Sequence, residues 1–261
     1  MKVLDRILES KRAEVSHLDA TSRARNSRAP MDVIGRLRRS RPHPLRIIAE
    51  IKLRSPSAGP LSRKMSPADR AVAYAAAGAA MVSVLCDGPF FDGSLEHVKD
   101  CRRALDAAHA DVPILAKEFI LHPRQIAEVR DRGADAVLLI ARIVDGQTFR
   151  SLVRAARDEA IEPLAEVVDE QELELALSAG ASVIGVNARD LDTLEMDVAR
   201  AGRVLQAMPA EVVAVHMSGI RTRDDVRAIA LGRADATLVG ESLMRHDDPR
   251  PALADLVRAA R

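Results

Sequence analysis

Four polar residues stand at the carboxyl ends of short apolar segments, and their side chains together suit acid–base chemistry. Lys52 follows LRIIAEI, Lys117 follows VPILA, Glu166 follows PLA and Asn187 follows SVIGV. In a parallel barrel, polar residues at the carboxyl ends of strands build the active site, whereas residues lower in the strands fill the core. The four endings therefore predict a catalytic ring of two ammonium groups, a carboxylate and an amide.

The segment AEIKLRSPSAGPL adds a second carboxylate beside Lys52. Glu50 and Lys52 are two residues apart, so on a strand they point to the same face. An interior face would place the pair at the mouth of the barrel, and the alternative is a surface ion pair on an edge strand. The following Ser55, Pro56 and Ser57 predict a rigid turn that offers hydroxyl groups to a ligand.

Two glycine turns near the end of the chain predict a phosphate site. Ser218 and Gly219 follow one apolar segment, and Gly240 and Glu241 follow the next. Backbone N–H groups at a glycine turn and at a helix start bind anions, and barrels often place a phosphate after strands seven and eight. The alternative is that both glycines serve tight turns only.

Arg189 lies two residues beyond Asn187 in GVNARDL. Its guanidinium suits a bidentate contact with a carboxylate. The neighbouring Asp190 leaves open a purely structural Arg–Asp pair.

The elements that must position these residues alternate along the chain. Apolar strands begin near residues 46, 80, 113, 136, 163, 183, 212 and 236, with helical stretches between them. Eight such units predict an α/β fold, a single (β/α)8 barrel, and an open doubly wound sheet is the rival. The apolar spacing within MKVLDRILESKRAEVSHL predicts a helix over ~3–17, and Pro30 begins a second short helix. We expect residues 1–44 to form a helical extension over the barrel and residues 45–261 to form the barrel. The two extra helices could cover the barrel mouth or plug its base.

Composition excludes several classes of function. The 261 residues carry a formal net charge of +1, so no overall field favours nucleic acid or an anionic membrane. Two cysteines without metal-ligand spacing indicate free thiols in a reducing compartment and no metal site. No apolar stretch approaches the ~20 residues that span a bilayer, and the charged N-terminus does not resemble a signal peptide. We expect a cytoplasmic protein that binds no nucleic acid, membrane, metal or other cofactor, and is a monomer, with a dimer as the alternative.

Several long segments resemble the indole-3-glycerol-phosphate synthase family of the tryptophan pathway. They cover almost the whole chain from Val3 onward: ILESKRAEV, AEIKLRSPSAG, GPFFDGSLEHV, ILAKEF, GADAVLLIARIV, PLAEV, GVNARDL, SGIRTRDDV and LVGESLMR. The resemblance implies a barrel with its N-terminal helices over the mouth. It also implies a phosphorylated small-molecule substrate, 1-(2-carboxyphenylamino)-1-deoxyribulose 5-phosphate, which loses carbon dioxide and water.

The same resemblance implies roles for individual residues. Lys117 matches the acid for ring closure, Lys52 and Glu166 match the pair for dehydration, and Glu50 matches an orienting carboxylate. Asn187 and Arg189 match contacts to the anthranilate end. Phe90, Phe119 and Pro56 are expected to wall the aromatic ring, in a chain with only five aromatic residues.

Two positions depart from the family pattern. Met217 stands where glutamate commonly precedes the Ser-Gly-Ile turn, and Glu118 replaces an aspartate. Methionine carries no charge, and strand alternation points the adjacent His216 the other way unless the strand bulges. The departure leaves open a paralogue that acts on a modified anthranilate, or a barrel that only binds a phosphorylated ligand.

Overall fold

The computed structural model describes residues 3–18, 28–39, 43–56, 58–190, 193 and 195–261. The barrel strands are β1 Arg46–Ile51, β4 Met81–Leu85, β5 Ile114–Lys117, β6 Ala136–Ile140, β7 Glu162–Val167, β8 Val183–Asn187, β9 Val213–Met217 and β10 Ala236–Val239. These eight parallel strands close into a barrel in the order β1-β10-β9-β8-β7-β6-β5-β4. Because β1 pairs with both β4 and β10, the barrel prediction is confirmed and the open sheet is wrong.

A short antiparallel hairpin follows β1 at the barrel mouth. It consists of β2 Arg54–Ser55 and β3 Gly59–Pro60. Arg54 bonds the Pro89 carbonyl and forms an ion pair of 3.1 Å with Asp92. The hairpin is thereby fixed to the loop that follows β4.

Helices flank the barrel and follow its strands. They are α1 Val3–Ser16, α2 Val33–Leu37, α3 Pro67–Ala76, α4 Gly88–Phe91, α5 Leu95–Ala107, α6 Pro123–Asp131, α7 Gly146–Asp158, α8 Glu170–Ser178, α9 Val198–Ala207, α10 Arg223–Leu231, α11 Glu241–Met244 and α12 Arg250–Ala259, with a 3₁₀ turn at Ala141–Ile143. None of the described helices is long and apolar enough to cross a membrane.

The two N-terminal helices lie at opposite ends of the barrel. Leu4 and Ile7 of α1 border the cavity at the mouth. The segment around α2 lies at the base, where Asp135 and Asp235 precede β6 and β10. Asp135 accepts from the Met31 N–H at 3.3 Å, and Asp235 accepts from the Arg39 N–H at 3.2 Å. The expectation that both helices cover the mouth is therefore wrong for α2, because these buried carboxylates bind its flanks to the strand starts.

Two hydrophobic clusters position the site. One lies between the strands and the outer helices, and the other fills the barrel interior. The interior cluster also takes Leu4 and Ile7 of α1 and Val33 and Leu37 of α2. The N-terminal segment thus shares the interior core of the barrel, which it closes from both ends.

Candidate active site

The polar strand endings meet in one cavity at the mouth. The cavity has a volume of about 140 Å³, and it is bordered by all four residues of the predicted ring together with Glu50. Lys117 and Asn187 are the last residues of β5 and β8, Glu166 is the next-to-last residue of β7, and Lys52 directly follows β1. The prediction that these side chains line one mouth is confirmed.

Glu50 holds the two lysines together. Its Oε1 lies 2.9 Å from Lys52 Nζ, and its Oε2 lies 3.4 Å from Lys117 Nζ. Burial alone would raise the pKa of this carboxyl, but the ammonium groups of Lys52 and Lys117 lower it to about 2. The pair Glu50–Lys52 is therefore part of the mouth, and the edge-strand alternative is wrong.

Lys117 is kept in its protonated form. Burial opposes the charge, but Glu50 and Glu166 raise the pKa of Lys117 above its usual value. An ammonium that faces the cavity under these conditions can act as a general acid, because it is held in its proton-donating form.

Asn187 orients Glu166 and links it to Ser218. The Asn187 amide donates to Glu166 Oε1 at 3.0 Å, while its Oδ1 accepts from Ser218 Oγ at 2.7 Å and from the Arg189 N–H at 3.0 Å. The other oxygen of Glu166, Oε2, is buried without a hydrogen-bond partner among the described residues. One carboxylate oxygen is thus fixed, and the second is available to take a proton.

Apolar side chains form the opposite half of the same cavity. They come from α1, the hairpin after β1, the end of β4, α4, the segment after β5 and β6, and they are Val3, Leu4, Ile7, Pro56, Leu85, Phe91, Phe119, Leu138 and Ile140. The rings of Phe91 and Phe119 have centroids 6.1 Å apart. This arrangement suits a planar aromatic ring placed against the charged half.

One aromatic residue at the cavity differs from the prediction, which named Phe90. Phe91 borders the cavity, whereas Phe90 packs its ring under the Arg6 guanidinium at 5.7 Å. The reason is the short helix α4, in which successive side chains point in different directions. Ser55 and Pro56 border the cavity as expected, and the buried Ser55 Oγ accepts from the Ala58 N–H at 3.0 Å. Ser57 lies outside the described residues.

A second, more polar cavity of about 630 Å³ adjoins the first. Both predicted glycine turns contribute to it, with Ser218, Gly219, Gly240 and Glu241 on its walls. Arg221, Arg245 and His246 add basic groups, while Lys52 and Arg189 border both cavities. The arrangement places cationic side chains around the two turns, as a phosphate requires.

Backbone geometry explains both glycines. Gly219 has a φ of +85°, which favours glycine, and a Cβ there would lie 2.6 Å from Met196 Cε. A Cβ on Gly240 would lie 2.4 Å from Glu50 Oε1. The second turn can therefore pass beside the Glu50 carboxylate only as glycine.

Asp190 forms an ion pair with Arg142, which lies outside the predicted catalytic ring. Its carboxylate lies 3.2 Å from Arg142 Nη1, and Glu172 lies 2.9 Å from Arg142 Nε. These contacts anchor the loop that carries Arg189, so an Arg142–Asp190 pair accounts for the aspartate.

Met217 and His216 point in opposite directions, as strand alternation predicts. His216 faces the outer layer, where burial lowers its pKa to about 4 and its Nδ1 lies 3.4 Å from Thr237 Oγ1. Met217 points inward, is 1% exposed and packs beside Gly185. Met217 is not among the described residues that border either cavity.

Comparison with known proteins identifies the family. The family model described as indole-3-glycerol phosphate synthase matches residues 4–256. The chain belongs to the indole-3-glycerol phosphate synthase family. It is 42% identical to the indole-3-glycerol phosphate synthase of Mycolicibacterium vanbaalenii over 264 residues, which cover 98% of this chain and 94% of that protein. It is 41% identical to indole-3-glycerol phosphate synthase 1 of Streptomyces coelicolor over 266 residues, with 99% and 96% covered.

Solved structures share the fold of this indole-3-glycerol phosphate synthase family member. The 3-hexulose-6-phosphate synthase of Salmonella typhimurium superimposes with a TM-score of 0.64 at 16% identity, covering 83% of this chain and 98% of that one. At this identity the likeness shows the barrel fold alone.

Sequence patterns did not reveal several residues of the site in this family member. Val3, Leu4 and Ile7 gave a helical signal, but only tertiary packing shows that they face the cavity. Phe91, Arg221, Arg245 and His246 carried no distinguishing spacing. No group of three or more histidine, cysteine, aspartate or glutamate side chains within the described ranges is arranged to hold a metal ion.

Proposed function

We propose that the chain is an indole-3-glycerol phosphate synthase, a lyase that decarboxylates and dehydrates its substrate. It converts 1-(2-carboxyphenylamino)-1-deoxyribulose 5-phosphate into indole-3-glycerol phosphate, carbon dioxide and water. The observation that carries this proposal is the mouth itself. The cavity of about 140 Å³, whose apolar half is called the apolar slot below, adjoins the more polar cavity of about 630 Å³ at the two glycine turns. Both cavities are bordered by Glu50, Lys52, Lys117, Arg189 and Ser218.

In the proposed ring closure, Lys117 acts as the acid. The ring carbon that bears the carboxylate attacks the ribulose carbonyl, and the Lys117 ammonium protonates the carbonyl oxygen. The bond to the carboxylate then breaks, carbon dioxide leaves, and its electron pair restores aromaticity. In this proposal, Arg189 and Asn187 hold the carboxylate before it leaves.

Dehydration follows with a second acid and a base. The new hydroxyl leaves as water with a proton from Lys52, and Glu166 Oε2 removes a proton from the neighbouring methylene carbon. One proton is consumed over the whole sequence. Glu166 is suited to this step because Asn187 fixes its other oxygen at 3.0 Å.

The phosphate occupies the polar cavity in this proposal. Gly219, Gly240, Glu241 and Ser218 surround it with backbone and hydroxyl donors, and Lys52 adds a charge. The two buried cysteines, Cys86 and Cys101, are free, which is compatible with a reducing compartment, and we place the enzyme in the cytoplasm. No partner other than the substrate is required, so a monomer is the expected working form.

The direct test is incubation of the purified chain with the proposed substrate. Indole fluorescence should appear, and mass analysis should identify indole-3-glycerol phosphate. A protein that binds the substrate but forms no indole product would contradict the proposal and favour a barrel that only binds a phosphorylated ligand.

Gly219→Val should weaken phosphate binding by roughly tenfold. The substitution strains a backbone with φ +85°, and its Cβ would lie 2.6 Å from Met196 Cε, so the turn must shift. Affinity for inorganic phosphate or an unreactive phosphorylated analogue is measured by calorimetry. Gly202→Ala is the control, because a Cβ there meets nothing within 4 Å. Unchanged affinity in a folded Gly219→Val protein would remove the phosphate from this turn.

Met217→Glu should raise turnover of the unsubstituted substrate by about tenfold, because a fixed carboxylate near Asn187 stabilises positive charge at the reacting centre. Met217 and Asn187 are paired in register on neighbouring strands. Met217 borders neither cavity among the described residues, so the new carboxylate would act on the site through its neighbour Asn187.

The rates of wild type, Met217→Glu and the uncharged control Met217→Gln are compared, with melting temperatures. A gain restricted to glutamate supports the unsubstituted substrate. A slower glutamate variant with a lowered melting temperature would contradict that expectation and favour a modified anthranilate, since the new carboxylate would be buried without a partner.

A further inference from the structure

Lys11 is a buried lysine on α1 that the reaction as described does not use. It is 2% exposed, although a lysine ammonium normally stays in water. Its Nζ lies 2.7 Å from Glu14, 3.1 Å from Glu118 and 3.2 Å from Asp87. One ammonium therefore meets three carboxylates, two of which are buried.

Two of these carboxylates each hold an aromatic wall of the apolar slot. Asp87 caps α4 by accepting from the Phe90 N–H at 2.9 Å, and α4 carries Phe91. Glu118 accepts from the Phe119 N–H at 2.7 Å and directly follows Lys117 in the chain. The backbone segments that carry Phe91 and Phe119 are therefore each held by a carboxylate that Lys11 contacts.

The third wall comes from the helix of Lys11 itself. Ile7 lies one helical turn before Lys11 and borders the slot together with Leu4. Lys11 is therefore the point at which α1, α4 and the segment after β5 are joined. Among the described residues, α1 contributes Val3, Leu4 and Ile7 to the border of the slot, so the width of the slot depends on where α1 rests.

The charges favour a permanent contact. Burial opposes the Lys11 charge, but Glu118, Glu14 and Asp87 raise the pKa of Lys11 above its usual value. Burial raises the pKa of Glu118 against the attraction of Lys11. Removal of the ammonium would leave two buried carboxylates without their shared cation, which is strongly destabilising unless Glu118 takes up a proton or α1 moves away.

We propose that Lys11 is a positioning residue that sets the aryl-ring slot, by holding α1 against Asp87 and Glu118 so that Ile7, Phe91 and Phe119 face one another. This inference rests on the proposed function, because the aryl ring is that of the proposed substrate. Lys11 touches neither the phosphate cavity nor the ring of catalytic side chains, so its loss acts on aryl binding and leaves phosphate binding intact.

The test separates the two halves of the site. Lys11→Met, Lys11→Arg and the control Lys99→Met are compared, Lys99 being a half-exposed lysine paired with Glu96 on α5. Four quantities are measured: kcat and KM for the substrate, the Kd of N-(carboxymethyl)anthranilate as an aryl probe, and the Kd of inorganic phosphate. Hydrogen exchange of residues 3–16 reports on the docking of α1.

Lys11→Met should raise KM and the Kd of the aryl probe by about tenfold or more, with a smaller change in kcat and an unchanged phosphate Kd. Exchange in α1 should become faster. Lys11→Arg keeps the charge and should recover most of the aryl affinity, and Lys99→Met should behave as wild type. If Lys11→Met does not fold, Lys11→Met/Glu118→Gln relieves the repulsion and should show the same selective loss.

An unchanged aryl Kd in folded Lys11→Met would overturn the inference. Equal loss of aryl and phosphate binding with a lowered melting temperature would also overturn it, since Lys11 would then only stabilise the fold. The binding measurements need no turnover. A wild type without synthase activity would therefore contradict the proposed function, while selective loss of the aryl probe in Lys11→Met would still establish the positioning role.

Discussion

Lys117→Met is expected to abolish ring closure, with a loss of ~10²–10⁴-fold, because the ammonium that protonates the carbonyl oxygen is gone. Methionine fills a similar volume without a charge, so the barrel should remain folded. Glu50 retains Lys52 as a partner at 2.9 Å and is not left unpaired.

The loss is measured as the rate of indole formation under saturating substrate. Lys64→Met is the matched control, since Lys64 is an exposed lysine paired with Asp247 at 2.7 Å. A loss below about tenfold in folded Lys117→Met would show that another group donates the proton, and Lys52 would be the first to examine.

Glu50→Gln is expected to reduce turnover at neutral pH by on the order of 10²-fold, because a fixed charge is lost from the centre of the site. Glu50 is 2% exposed and lies between both lysines. Glutamine can accept hydrogen bonds but cannot offset two ammonium charges, so Lys52 and Lys117 repel each other.

The pH profile of this variant gives a second readout with a defined sign. Glu50 and Glu166 raise the pKa of Lys117, so removal of the Glu50 charge lowers that pKa. A general acid is active while protonated, and the alkaline limb of kcat/KM should therefore move to lower pH. The exposed Glu174 on α8 provides the control, Glu174→Gln. An alkaline limb that stays in place would show that Lys117 is not the acid coupled to Glu50.

The strand endings of the site could be predicted because each is a polar residue at the end of an apolar segment. An apolar strand that terminates in Lys117 or Asn187 combines the burial pattern of a barrel strand with a residue that burial alone would exclude. Glu50 and Lys52 are two residues apart, so the strand period alone places their side chains on the same face of the strand. Closure of the barrel then brings these ends together, whatever the lengths of the loops.

Residues outside the strands could not be placed in the same way. Choosing between Phe90 and Phe91 requires the orientation of α4, which has only four residues. The base position of α2 depends on Asp135 and Asp235, whose partners are about 100 and 200 residues away along the chain. Nothing in the sequence distinguishes Lys11 from the other charged residues of the first helix, because its carboxylate partners Asp87 and Glu118 are distant along the chain.

The most direct test of the account is a single-turnover reaction with substrate labelled at the carboxyl carbon. Carbon dioxide and indole-3-glycerol phosphate are quantified together in wild type and Lys117→Met. The account predicts one labelled carbon dioxide for each indole product in wild type, and neither product from Lys117→Met on the same time scale. Release of carbon dioxide without indole, or equal formation of both products by the two proteins, would contradict it.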